Sequence, residues 1–185
     1  IESYPDKDWC WKSIFRLNEG ITLEFITKNI GRAQVWQYFL SNPSLRISDI
    51  NLLQLEHLDY TYLSRNPNLT IDYINQHPDE NLAWSWISYY FSGTINDIKQ
   101  NIDKQWYWKY LSMNPKISIK DIDNNIDLPW SWDYISYKTY IPSWFIEKHI
   151  DESWNWNALS SNSSITMDFI DKHINKPWNF DKISD

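Results

Sequence analysis

The sequence predicts an all-α fold: an α-solenoid of about seven repeats of about 24 residues, each made of two short antiparallel helices, wound as a right-handed superhelix. Three observations carry that expectation. Trp106, Trp130, Trp154 and Trp178 recur at an even interval of about 24 residues. Asn42-Pro43, Asn66-Pro67 and Asn114-Pro115 recur between the tryptophan positions as turn signals. A Ser or Thr ahead of an Ile-centred apolar segment then closes most copies.

One unit runs WYWKYLSMNPKISIKDIDNNIDLP from Trp106 to Pro129, and the next two copies follow it closely. The frame places repeat starts near 9, 34, 58, 84, 106, 130 and 154, with a partial repeat from 178, so residues 1–185 read as a single array. Leu58 and Gln34 stand where Trp is lost. The fourth copy is the irregular one: framed on Trp84, it is two residues short, lacks Asn-Pro, and gains Tyr89, Tyr90 and Phe91. The chain opens without Met and stops inside a repeat, which reads as a fragment of a longer protein.

The first helix of each repeat is expected to start three residues before the first Trp. Asp6, Asp103, Asp127, Asp151 and Asn175 stand there as N-caps. It should end near the recurring Ser, because a following Pro disfavours helical geometry in the preceding Asn. The second helix is expected to be capped by Thr22, Ser48, Thr70, Ser118 or Thr166, with Ser118 and Asp121 forming a capping box. Ile74, Ile98, Ile122, Ile146 and Ile170 anchor its buried face. Asn29, His77, Asn101, Asn125, His149 and His173 close it, as residues that tolerate left-handed backbone at a helix end. Helices of two to three turns do not persist alone, so stacking must stabilise them.

Two tryptophans two residues apart point to opposite sides of a helix, and a helix sandwiched between neighbouring repeats buries both sides. Paired Trp therefore reads as core. The same logic removes most apparent sites. His149 and His173 share a repeat position with Asn, so they read as helix ends, not metal ligands. Asp121–Asp123 and Asp79–Glu80 fall at caps and loops. Ser64, Ser112, Ser136, Ser160 and Ser184 recur near helix ends as packing or capping residues. Sequons at Asn68 and Asn162 belong to the turn motif. No phosphate loop, zinc motif or nucleophile elbow occurs. We therefore expect no catalytic residue, no metal and no cofactor.

Composition narrows the partner. A net charge of -7 is at odds with a nucleic-acid footprint. No apolar run in these residues reaches the length of a membrane span, and they show no signal-peptide pattern. With Cys10 alone, no internal disulfide forms. Four positions after the first Trp, Tyr38, Tyr62, Tyr110 and Tyr134 recur as a possible edge column. Together with Tyr89, Tyr90 and Phe91 they are the candidate binding residues, since Tyr combines apolar area with a hydroxyl. The residue between the tryptophans, as in Tyr107, Ser131 and Asn155, is a further variable position, with Ser85 counted alongside.

The combined pattern W-x-W-x-x-[LI]-S-x-N-P-x-[IL]-[ST], clearest in WYWKYLSMNPKISIKDI, resembles tandem-repeat proteins of giant DNA viruses that infect amoebae, the mimivirus-like group. The resemblance covers nearly the whole chain and implies no catalytic residues. It implies a viral protein of the infected-cell cytoplasm or the virion. The expected function is a non-catalytic protein–protein interaction module with a host or viral partner. The alternative is a structural virion component or spacer.

Overall fold

The computed structural model describes residues 9–17, 20–29, 36–53 and 58–183. Among the described residues it is all helical, with no strand. Two compact units divide the chain, Ile1–Gly93 and Thr94–Asp185. The first holds α1 (Trp11–Leu17), α2 (Leu23–Asn29), two 3-10 helices (Trp36–Ser41 and Ile47–Leu53), α3 (Tyr60–Leu63), α4 (Ile71–Gln76) and α5 (Trp84–Tyr90). The second holds α6 (Ile95–Gln100), α7 (Trp108–Met113), α8 (Ile119–Asp123), α9 (Trp132–Ile135), α10 (Ser143–Lys148), α11 (Trp156–Leu159), α12 (Met167–Lys172) and α13 (Phe180–Ile183).

Like packs on like within each unit. In the first, the 3-10 helix Trp36–Ser41 lies against α1 and α3, and Ile47–Leu53 lies against α2. In the second, α7 lies against α9. The core follows the sequence period. Phe15, Phe39, Leu63 and Ile87 form one buried column in the first unit, and Leu111, Ile135 and Leu159 hold the same place in the second. Ile26, Ile50 and Ile74 are a second set of buried residues at the repeat interval in the first unit, and Ile98, Ile122, Ile146 and Ile170 are the corresponding set in the second. Each such side chain stabilises the fold by roughly 1.5–3 kcal/mol. Helices of four to seven residues need that packing, because isolated turns do not hold.

The first helices begin later than the sequence suggested. Their N-caps are the residues between the tryptophan positions: Asp59, Ala83, Tyr107, Ser131 and Asn155. Asp103, Asp127 and Asp151 instead occupy turns outside any helix, and Asp6 lies outside the described residues. The physical reason is the first Trp. Its indole N–H donates to the carbonyl at the end of the preceding helix, from Trp106 to Asn101, Trp130 to Asn125, Trp154 to His149 and Trp178 to His173, at 2.7–2.9 Å. A residue committed to closing one helix sits before the next one starts.

Trp84 opens α5 as Trp108 opens α7, so it fills the second tryptophan place, and Leu82 fills the first. The buried serines agree: Ser64, Ser88, Ser112, Ser136 and Ser160 are evenly spaced. The fourth copy therefore has full length. Ser184 lies outside the described residues.

Second-helix caps match at Thr70, Ser118 and Thr166, whose hydroxyls accept from the third helical N–H. The Thr22 hydroxyl accepts from the Phe25 N–H in the same way. Thr94 adds a capping box with Asp97 like that of Ser118 with Asp121. Ser48 lies inside its 3-10 helix, where Arg46 bonds Asp49 at 2.8 Å instead. The helix-closing residues His77, Asn101, His149 and His173 have φ from -120 to -127°, not left-handed backbone. Their side chains explain the residue choice. The amides of Asn29, Asn101 and Asn125 donate to the carbonyl four residues back, and the His77 ring bonds the Tyr73 carbonyl.

Candidate interaction surface

Once packing duties are assigned, few recurring polar residues remain available. Buried Asn42 and Asn66 show why Asn recurs before Pro. The Asn66 side-chain N–H groups reach the carbonyls of Leu40 (2.8 Å), Asn42 (3.1 Å) and Leu45 (3.4 Å) in the preceding copy. Its carbonyl oxygen accepts from the Asn68 N–H, pinning the turn. Asn42 and Asn162 reach back in the same way to Phe15 and Lys138. The recurring serines are equally occupied. Ser64, Ser136 and Ser160 donate to the carbonyl four residues back, and their oxygens accept N–H groups of Ala83, Asn155 and Asn179 in the following copy. The sequon amides of Asn68 and Asn162 are bonded as well.

Lys138 replaces Asn in this series. Its ammonium donates to the carbonyls of Asn114 and Ile117, both at 2.7 Å. Burial lowers its pKa to about 8, while Asp121 pulls the other way. The histidines join a separate series. Asp123 receives Lys148 at 2.7 Å and lies 3.0 Å from His149 Nε2. Glu147 pairs in parallel with Lys172 and His173. The bonds from Lys148, then His149, hold Asp123 below the usual carboxylate range, and Lys172, then His173, do the same to Glu147. Among the described residues no group of three or more His, Cys, Asp or Glu is placed to hold a metal ion.

The tyrosine column is partly brought together. In the first unit Tyr38 and Tyr62 meet edge to face at 4.9 Å, with the Lys12 ammonium 5.1 Å from the Tyr38 ring. Their shared hydroxyl contact lowers the Tyr38 pKa and raises that of Tyr62. In the second unit Tyr110 and Tyr134 meet at 6.4 Å. All four rings are half-buried. Edge-to-face pairs of this kind add about 0.5–1.5 kcal/mol beyond area burial, so the column serves packing while showing one side to solvent.

Sequence reasoning missed the next member of the first unit's column. Trp86 stands where Tyr62 stands one copy earlier, and it is 38% exposed. The Arg65 guanidinium lies between them, 5.3 Å from the Tyr62 ring and 4.4 Å from the Trp86 ring. Framing the fourth copy on Leu82 would have revealed it. Trp86 also stacks on Tyr90 at 6.0 Å, and Tyr90 meets Tyr89 at 5.0 Å, so those two candidates join the same aromatic patch. Phe91 does not. It is 4% exposed, in the place Pro67 holds one copy earlier, and is a core residue. Tyr107 and Tyr137 are exposed neighbours of Tyr110 and Tyr134 in the second unit.

No family model matches the chain, and no match was found among curated proteins or solved structures. No helix among the described residues is long and apolar enough to cross a membrane.

Proposed function

We propose that this chain is a non-catalytic interaction module: an α-solenoid of about seven repeats, wound as a right-handed superhelix, that binds a host or viral protein along its aromatic edge. The observation that supports it most is the patch of Tyr62, Arg65, Trp86 and Tyr90, a stack of half-buried ring and guanidinium groups around the exposed Trp86. Trp, Tyr and Arg are the side chains that dominate binding energy at protein interfaces. The step from helical repeats to partner binding is an argument by fold analogy. The giant-virus reading rests on the repeat motif, and it makes the infected amoeba the place to look.

The test is affinity capture from infected amoebae with the wild-type chain and with a Trp86→Ser, Arg65→Ser variant. A partner recovered by the first and lost by the second is expected. Equal recovery by both would move the binding face elsewhere. The second reading, a virion component or spacer, draws on the inter-repeat bonding that recurs within each unit, at Asn66 in the first and at Ser136 and Lys138 in the second. Quantitative proteomics of purified particles separates the two, since a structural component would be present at stoichiometric abundance.

A further inference from the structure

The tyrosine column of the second unit stops at Ala158. Tyr110 and Tyr134 precede it at the repeat interval, and Ala158 is the next copy's residue in that place. A groove of about 450 Å³ opens there, with Ala158, Tyr137, Lys138, Thr139, Ser163 and Lys182 among its lining residues. Its walls are already fixed. Asn155 donates to the Tyr137 hydroxyl at 3.1 Å and to Asp133 at 2.7 Å, which holds the Tyr137 ring upright while 56% of that residue stays exposed.

Charge distinguishes this groove from the rest of an acidic chain. Two of its lining residues are lysines and none is a carboxylate, against a net charge of -7 for the whole sequence. The helix-end carbonyls beside it are bonded: those of Tyr134 and Ile135 accept from Tyr137 and Lys138, and those of Ala158 and Leu159 from Ser161 and Asn162. The Lys138 ammonium is committed to the carbonyls of Asn114 and Ile117, so Lys182 carries the charge open to a ligand. Among the described residues the Lys182 ammonium donates to the Asn157 carbonyl at 3.5 Å, a contact long enough to give up.

We propose that the groove at Ala158 takes a tyrosine ring from an acidic segment of a partner protein, completing the interrupted column while Lys182 pairs with a neighbouring Asp or Glu of that segment. The proposal rests on the interaction-module reading and names its partner's chemistry. The guest ring would lie beside Tyr134 and Tyr137 as those rings lie beside each other. Ser163 and Thr139 line the same opening and offer hydroxyl groups to the guest phenol.

The test uses the full chain with the peptide Glu-Glu-Tyr-Glu-Glu, followed by amide chemical shifts and by anisotropy of a labelled version. Shifts centred on Ala158, Tyr137 and Ser163 are expected. Glu-Glu-Ala-Glu-Glu and inorganic phosphate should each bind at least about tenfold more weakly. Ala158→Tyr fills the groove with the residue other copies carry, so it should fold normally and abolish binding. Lys182→Glu should weaken it by about tenfold. Equal binding by Ala158→Tyr, or by the alanine peptide, overturns the proposal. Binding that maps instead to Trp86 or Tyr110 also overturns it, but leaves the interaction-module reading intact. A peptide library that finds no binder anywhere on the chain would count against both.

Discussion

Asn66 makes three donor contacts with one amide while its own backbone and side chain are fully buried. Replacing it by Ala would remove one donor from each of the Leu40, Asn42 and Leu45 carbonyls, of which Asn42 keeps the Leu45 N–H and Leu45 keeps the Asn68 side chain. An Asn66→Ala variant is expected to lose about 2–4 kcal/mol, read from urea denaturation midpoints. Lys138 holds the same place with a charge, and the sign of its effect runs the other way. Its folded pKa of about 8 lies below the value of 10.5 for a free lysine. Between those values the unfolded chain binds more protons, so stability should rise with pH across that window. Burying the charge costs at most about 3 kcal/mol at neutral pH, and its two carbonyl bonds offset part of this. Lys138→Asn is therefore expected to stabilise the protein at pH 7, with the gain shrinking towards pH 10.5. Thermal melts at both pH values check this, and a variant less stable at pH 7 with no pH trend would contradict it.

At the scale of the element, termini matter more than interiors, because a helix of four to seven residues is nearly all termini. Two devices deal with them. Capping boxes at Thr94 and Ser118 satisfy the N-terminal N–H groups of α6 and α8, and Thr94→Ala or Ser118→Ala should each cost about 1 kcal/mol. The indole of the next copy satisfies the C-terminal end. Trp130→Phe keeps most of the apolar area but leaves the buried Asn125 carbonyl without that donor. We expect a loss of about 1–3 kcal/mol, with amide exchange accelerating around Asn125 and not uniformly. α10 has neither a hydroxyl cap nor a box, since Pro142 stands in the cap position.

At the scale of the whole molecule, the recurring carboxylates give the pH response. Asp123 and Glu147 have lowered pKa values through their lysine and histidine partners in the next copy. A carboxylate with a depressed folded value contributes stability above its unfolded pKa and loses it as pH falls through the folded one. The midpoint temperature should therefore drop below the ordinary carboxylate range, and Asp123→Asn with Glu147→Gln should flatten that drop. These pairs are largely solvent-screened, so the effect is one of slope more than size. The period, the all-helical class and the core columns were legible in the chain, because burial repeats wherever the same apolar residue does. The helix starts were not. Asp103 and Asp127 have good cap chemistry, but local propensity loses to the buried N–H of Trp106 and Trp130, each closing a helix it does not belong to. Trp86 was hidden by a frame set on the most visible residue of a copy that had lost its first Trp. The sequence by itself determined which residues repeat, and hence what is helical and what is core. Only the tertiary structure decided why each repeats, because Asn66, Ser136 and Trp130 make their bonds to groups in neighbouring repeats or elements. Hydrogen-bond partners are set by distance in space, and spacing along the chain leaves them open.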